Sequence, residues 1–459
     1  MKSPIPVIAI FDIGKTNKKI FLLDEYYVIQ WQQTVQLSEI TDEDGFACED
    51  IIALTKWIKD IFAQLVLLQK FDLKAVNFSA YGASFVHLNK AGEPFLPLYN
   101  YLKPYPYFLL NDFFKTYGDK SDFIVATAAP VVGNLNSGFQ LYRLKYQHKA
   151  YFNLIDVSLH LPQYLSYILS GKHYSEITSI GCHTALWNFN TDTYHSWVSS
   201  EKIDTLLAPI CDSNKCSTIN IKDKQINIGV GLHDSSAALI PYLLSFSEPF
   251  VLISTGTWCV SLNPFNKDSL TEDELENDCC CYLSFNGQRV KAAKIFAGNE
   301  HEIQIKKMAA YFKKPLDYYT TIEFDNATAM SLKAGGLKDG QQAVLPGNLN
   351  SAIDKNKFHL FENYETAYHQ LMINIIGQQL LSTNLVIKNS QVKKVFVDGG
   401  FSKNKVYMHL LAQQFLDFEV YAAIVSQASA MGTALAIHQH WNTKKVPENL
   451  IDLQLYSGI

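Results

Sequence analysis

No apolar run in this 459-residue chain reaches the length of a bilayer span. Its opening, Met1-Lys2-Ser3-Pro4, carries none of the marks of a signal peptide, so a cytoplasmic protein is expected. A dominant charge is also missing. The 39 Lys and Arg stand against 44 Asp and Glu, a formal net charge of −5. That balance gives no electrostatic reason to bind nucleic acid or an anionic membrane, and any phosphate must be held locally by loops and helix N-termini. Low-complexity segments, long linkers and CxxC or Cys/His spacings are absent as well. The eight cysteines are scattered, apart from Cys279-Cys280-Cys281. Adjacent residues of a strand point to opposite faces, so this triplet reads as buried or half-buried strand thiols rather than as a metal site. Cys211 and Cys216 would need further ligands that the sequence does not offer.

What is present is an ordinary packed composition, 48% hydrophobic and 18% charged, in a chain too long for one typical core. Two domains are expected. The middle of the chain carries two linked motifs. Gly229-Val230-Gly231-Leu232-His233-Asp234-Ser235-Ser236 puts a carboxylate at the start of a small-residue helix. Phe250 to Ile253 is an apolar strand running into the turn Ser254-Thr255-Gly256-Thr257-Trp258. A hydroxyl-and-glycine turn at a strand end lets backbone N–H groups come close to phosphate oxygens. The same strand–turn–strand pattern stands near the beginning: Val7 to Phe11, then Asp12-Ile13-Gly14-Lys15-Thr16-Asn17, then Lys19 to Leu23. The pair suggests an internal duplication with a phosphate loop opening each half. A third turn, Asp398-Gly399-Gly400 with Asn404, follows the strand around Val395 to Val397.

Between these motifs, helical spacing predicts a helix over 48–69 and helical structure over 136–170. A buried strand over 75–80 ends in the turn Tyr81-Gly82-Ala83-Ser84, either a plain bend or a turn that touches a ligand, since ligands gather at strand C-termini in α/β folds. Thr271 to Asp278 reads as a solvated acidic surface, Phe296 to Glu302 as either a stretch at a cleft or, preferably, an ordinary helix N-terminus, and Ala334-Gly335-Gly336-Leu337 and Leu345-Pro346-Gly347 as loops. Further helices are predicted over 364–381, 407–415 and 426–436.

Asp12-Ile13-Gly14 with Thr16-Asn17, Gly229 to Ala238, Ser254 to Thr257, and Asp398-Gly399-Gly400 with Asn404 resemble, in order and spacing, the motifs of the FGGY carbohydrate kinases of the actin/hexokinase superfamily. His233-Asp234-Ser235 and Gly256-Thr257-Trp258 resemble the rhamnulokinase and fuculokinase branch. The resemblance implies an α/β protein of two actin-like (ribonuclease H-like) domains, with mixed sheets flanked by helices and a ligand cleft between them. Residues 1–245 would hold the sugar, the first phosphate loop and the catalytic base, and residues 246–459 the second phosphate loop and the adenosine. It implies ATP and Mg²⁺, and transfer of the γ-phosphoryl group to a primary hydroxyl of a small ketose or polyol, such as the 6-deoxyketoses L-rhamnulose and L-fuculose. A small sugar is then the partner, with no nucleic acid and no membrane, and a homodimer is left open. A catalytically inactive sugar-binding relative and a chaperone- or actin-like nucleotide switch are the alternatives.

Phosphoryl transfer needs a phosphate cradle, a divalent metal and a carboxylate to take the hydroxyl proton. Asp234 is the expected base, against the reading of a plain helix N-cap. Asp12 is the metal candidate, since Mg²⁺ binds through few carboxylates and keeps much of its water. Gly14, Lys15, Thr16, Asn17, Thr255, Gly256 and Thr257 would face phosphates, and Gly399, Gly400 and Asn404 the adenosine. Gly82, Ala83, Ser84, Asn100 and His233 would join Asp234 around the sugar. The resemblance also marks departures: Tyr99-Asn100-Tyr101 replaces the family's Trp and Asp, Glu176 stands where Asp is usual, and Lys15 where small hydroxyl residues are. Tyr81, Phe85, Tyr99 and Tyr101 could give the pocket an apolar end.

Overall fold

The computed structural model describes residues 3–334, 355–424 and 427–457. The loop signals at 335–337 and 345–347, and Ser426, lie outside them. The first sheet grows from Ile5–Ile13, where Val7 to Phe11 is apolar on both faces and wholly buried. A strand buried on both faces needs cover on each, which makes it central. It pairs antiparallel with Lys18–Asp24 and parallel with Phe71–Ala80. Across the sheet the order is Cys216–Ile221, Lys224–Gly229, Phe71–Ala80, Ile5–Ile13, Lys18–Asp24 and Ile29–Val35. Leu232–His233 also pairs with Phe71–Ala80, one step before the helix Asp234–Ser245.

The second sheet repeats this plan. Phe250–Thr255 pairs antiparallel with Cys259–Asn263 and parallel with Lys394–Gly399. Arg289–Ile295 and Cys279–Leu283 continue it on one side, Glu419–Ala423 and Leu453–Tyr456 on the other. The internal duplication expected from the two hairpins is therefore present as two equivalent strand pairings. Each sheet is mixed and flanked by helices.

Side-chain alternation decides what covers each face. Val7, Ala9 and Phe11 meet Leu54, Ile58 and Leu65 of the helix Ile51–Leu67, which starts where the Asp50 carboxylate accepts from the N–H groups of Ile52 and Ala53. Ile8 and Ile10 face Ala237, Ile240, Ala430 and Ala434, from the helices Asp234–Ser245 and Ala428–Ala436. These two helices touch through backbone: a Cβ on Gly432 would lie 1.8 Å from the Ala237 carbonyl oxygen. Asn77, in the first sheet, donates to the Thr433 carbonyl at 2.8 Å. Residues 428–441 thus pack on the first sheet although they lie between two strands of the second, Glu419–Ala423 and Leu453–Tyr456.

Two stretches differ from the sequence reading, and a third agrees with it. The region 136–170 is not continuously helical: Val157–His160 is a strand paired with Phe85–Leu88, between the helices Ser137–Gln147 and Leu161–Ser170. Its four buried residues serve a small separate sheet, which helical periodicity cannot announce. The acidic stretch 271–278 contains the short helix Glu272–Glu276, opened by a capping box between Thr271 and Glu274. Glu274 is not solvated but buried against Lys291 at 2.7 Å. The three adjacent cysteines are buried in the strand Cys279–Leu283, Cys279 and Cys280 entering different cores. Among the described residues every cysteine is free, and the three-donor group close enough to share an ion, Glu43, Asp44 and His148, includes neither a cysteine nor Asp12. No helix of the described residues is long and apolar enough to cross a membrane.

Candidate functional site

Asp12 is the last residue but one of the strand Ile5–Ile13, half-buried, with Lys19 as its cross-strand partner and Ser79 beside it on the parallel neighbour. The Ser79 hydroxyl donates to Asp12 Oδ1 at 2.7 Å. Burial pushes the Asp12 carboxyl above its ordinary range; Ser79 and Lys19 work against that, and the nearby Asp234 adds to it. Ser79 pairs with Asp12 on one side and with Leu232 on the other, which brings Asp234 into the neighbourhood of Asp12.

The turn after Asp12 closes with Gly14 N–H donating to the Asn17 carbonyl at 3.0 Å, and Thr16 and Asn17 are exposed at its tip. Lys15 turns aside to an ion pair with Glu39 at 3.0 Å. Strand alternation sends Lys18 to the opposite face from Lys19, into the core. There its ammonium meets the buried Glu49 at 2.5 Å and the Lys15 carbonyl at 2.9 Å.

Asp234 is the first residue of the helix Asp234–Ser245, so its carboxylate stands at the positive end of the helix dipole. Oδ1 accepts from Ser235 N–H at 2.6 Å. Nε2 of His233 lies 3.2 Å from the same oxygen. Burial pushes that imidazole down to about 3, so it is neutral at ordinary pH and the contact is not an ion pair; the same Nε2 is paired with Cys182 Sγ at 3.1 Å. Burial also lifts the Asp234 carboxyl to about 6. Asp234 keeps a third of its side-chain surface open, and the N-cap position of the helix is His233 rather than Asp234.

The turn Gly82–Ser84 lies against this pair. A Cβ on Gly82 would sit 2.9 Å from Cys182 Sγ and 3.2 Å from the His233 ring. Ala83 takes a left-handed φ of 60° and gives its carbonyl to the Gln140 amide at 2.6 Å. Ser84 Oγ is buried with no partner among the described residues. Asn100 is otherwise engaged: its amide donates to the Ala47 carbonyl and accepts from Leu102 N–H, both at 3.0 Å. Of the four aromatics that could form an apolar end, Phe85 stacks on His160 within the core and Tyr99 donates to Glu43. Tyr101 lies close to both Asp234 and Trp258, edge-on to Tyr81, where the two halves meet. Glu176 is fully buried, accepts from Thr178 at 2.6 Å and from Ser213, and so holds the Thr178 hydroxyl that accepts His233 N–H at 3.0 Å.

The second turn is built of backbone. Thr255 Oγ donates to the Asp398 carbonyl and accepts from Phe401 N–H, and its own carbonyl accepts from Gly400 N–H at 2.9 Å. Gly399, at φ 94°, has no room for a side chain: a Cβ would lie 1.9 Å from the Thr255 carbonyl oxygen. Gly298, which the sequence did not single out, is equally confined, its Cβ position 1.8 Å from the Gly256 carbonyl oxygen. On the outer side, Gly256 and Gly400 are exposed, and a Cβ there would meet nothing nearer than 3.9 and 4.0 Å. That is open backbone a ligand can approach. Asn404 caps the helix Lys405–Gln414, accepting from Tyr407 N–H and donating to the Tyr368 hydroxyl at 2.6 Å. Its amide is thus spent within the protein. The Asp398 side chain accepts from Tyr242, near the far end of the Asp234 helix, at 2.9 Å.

No family model matches the chain. A rhamnulokinase from Bacteroides thetaiotaomicron is 29% identical over 227 residues, which cover 46% of this chain and 44% of that protein's own length. A solved structure of ligand-bound xylulose kinase from Lactobacillus acidophilus superposes with a TM-score of 0.78 at 17% identity, covering 98% of this chain and 93% of the other. A carbohydrate kinase from Novosphingobium aromaticivorans gives 0.76 at 19% identity, with 99% and 94% covered. A gluconate kinase from Lactobacillus acidophilus gives 0.76 at 17%, with 98% and 94% covered. At these identities the likeness is one of fold: the chain has the two-domain, actin-like α/β fold of these solved sugar kinase structures.

Proposed function

We propose that the protein is an ATP-dependent sugar kinase with Asp234 as its general base. The observation that carries this reading is the pair of neighbouring carboxylates, Asp12 and Asp234, at the ends of separate elements beside the first glycine turn, where Tyr101 and Trp258 bring in the second. Asp234, raised to about 6, is ionised near neutral pH yet basic enough to take a proton. The Ser235 N–H, 2.6 Å from Oδ1, fixes the carboxylate's direction, and the neutral His233 lies beside it. Asp234 takes the acceptor hydroxyl's proton as that oxygen bonds to the γ-phosphorus and the bond to the departing ADP breaks.

The donor sets fit the expected groups. The open backbone of Gly256 and Gly400 suits close approach by a nucleotide, with Lys15 to Asn17 and Thr257 facing the phosphates, Gly14 and Thr255 holding the shape of their turns, and Gly399 and Gly400 beneath the adenosine. Asn404 contributes by capping the helix beneath rather than through a free amide. Asp12 offers Mg²⁺ one carboxylate with Oδ2 free of hydrogen-bond partners among the described residues, as an ion that keeps most of its water requires. When bound, the ion would offset charge on the phosphates. Gly82, Ala83, Ser84 and His233 line the acceptor side, the unpartnered Ser84 hydroxyl being the group best placed to meet a sugar oxygen.

The acceptor is a small ketose or polyol, and the partial likeness to a rhamnulokinase favours a 6-deoxyketose such as L-rhamnulose. Tyr81 and Tyr101 supply the apolar wall for a methyl end. Discrimination against a 6-hydroxy sugar is modest, about tenfold to a hundredfold. A coupled assay of ADP release over a panel of ketoses and polyols, ranked by kcat/KM, tests all of this. ADP released at the same rate without any sugar would favour a nucleotide switch and sink the kinase reading. D-xylulose or glycerol outrunning the deoxyketoses would overturn only the choice of sugar.

A further inference from the structure

A buried polar chain connects the first turn to the acceptor turn, and no step of the reaction above uses it. Lys18, Glu49 and Tyr81 come from three separate elements and are 2%, 3% and 8% exposed. The Lys18 ammonium reaches the Lys15 carbonyl, inside the first turn, at 2.9 Å and Glu49 Oε1 at 2.5 Å. Glu49 Oε2 accepts the Tyr81 hydroxyl at 2.8 Å. Tyr81 opens the acceptor turn, and its own N–H donates to the Ile13 carbonyl at 3.2 Å, one residue from Asp12. Its ring meets Tyr101, which lies beside Asp234. Taking a lysine and a glutamate out of water costs several kcal/mol per ion, and well-packed apolar residues would give at least equal stability. A buried ion pair at this place is therefore poorly explained by stability, whereas its two ends are anchored on the two turns.

We propose that Lys18, Glu49 and Tyr81 are positioning residues that lock the first phosphate turn to the acceptor turn, setting nucleotide and sugar in register for transfer. This rests on the kinase reading. The lock acts at a distance: all three side chains are buried, and removing the Tyr81 hydroxyl frees Glu49 to shift, which releases Lys18 from the Lys15 carbonyl. The effect of a change at the acceptor turn should then appear at the nucleotide turn.

The test is Tyr81→Phe, which removes one hydroxyl and keeps the ring and the ion pair. Steady-state kinetics should show KM rising about threefold to tenfold for both ATP and the sugar, the size expected from one lost hydrogen bond. Hydrogen exchange should quicken at residues 14–17 as well as at 81–84. The double variant Lys18→Met with Glu49→Gln, a neutral pair that should still pack, is expected to raise both KM values in the same way while the melting temperature holds. A merely structural tyrosine would lower the melting temperature and leave KM for ATP alone. KM for ATP within twofold of the parent, or exchange quickened only at 81–84, overturns the lock. A parent that releases no sugar-dependent ADP overturns the kinase reading instead, and the exchange at residues 14–17 still decides whether the two turns are joined.

Discussion

At the first hairpin turn, Gly14 has an ordinary φ, and a Cβ there would touch only the Asn17 carbonyl oxygen, at 3.1 Å. The turn is held from below, by a lysine ammonium on the Lys15 carbonyl. At the second turn, Gly298 and Gly399 lie against the backbone of residues 255–257 so closely that a Cβ would fall within 2 Å of a carbonyl oxygen. The two hairpins share a pairing scheme, antiparallel on one side and parallel on the other. The same topology has thus been made rigid once by side-chain charge and once by the absence of side chains. The first solution depends on distant partners, and the second on shape alone.

The largest effect is expected at the carboxylate that belongs to neither turn. Asp234→Asn should lower kcat by about 10² to 10⁴, the usual worth of a general base, with both turns and the melting temperature unchanged. Activity within a few-fold of the parent would remove Asp234 from the chemistry. Next comes the direct contrast between turns. Gly399→Ala forces a left-handed φ and a backbone clash, together roughly 2–5 kcal/mol of stability in urea unfolding. Gly14→Ala should cost under about 1 kcal/mol, since its conformation is ordinary and the contact only tight. Equal losses at the two glycines would erase the distinction drawn here.

A smaller effect concerns pH. The base must be ionised, and with Asp234 at about 6 kcat/KM should be flat above pH 7 and fall about tenfold per unit below pH 6. A profile flat down to pH 4.5 would mean that no carboxylate in this environment takes the proton. The smallest change is expected for Lys15→Ala. Its partly exposed pair with Glu39 is worth little, and KM for ATP should change less than about threefold. A tenfold rise would show that Lys15 leaves Glu39 to bind phosphate, and that the first turn, too, has a charge on its working face.

Much of the fold could be read from the chain because its strong signals are local. Val7 to Phe11 and Phe250 to Ile253 are apolar runs that only a central strand explains, and Asp12, Asp234 and Gly399 stand at the ends of such elements. Groups whose meaning depends on distant partners stayed hidden. Lys18 looks like one more lysine of a hairpin until Glu49 is brought beneath it. Gly298 looked like part of a helix start, and only the fold reveals the carbonyl of Gly256 against it. Asn404 was assigned to the adenosine because its motif was visible, while its partner Tyr368 lies in a different helix. Val157–His160 was read as helix because a four-residue strand carries too few residues to establish a period of two.

The helix Ala428–Ala436 carries a consequence for biosynthesis. Asn77 finds its acceptor on Thr433, 356 positions later, and Tyr27 finds His438. As the chain leaves the ribosome, the first sheet is made early, yet the cover of one of its faces is completed only when residue 428 and beyond have emerged. Until then that face, with Ile8 and Ile10 at its centre, has only the helix Asp234–Ser245 over it. Chaperone binding during synthesis should therefore concentrate on the early half of the molecule and end abruptly with the appearance of one short helix.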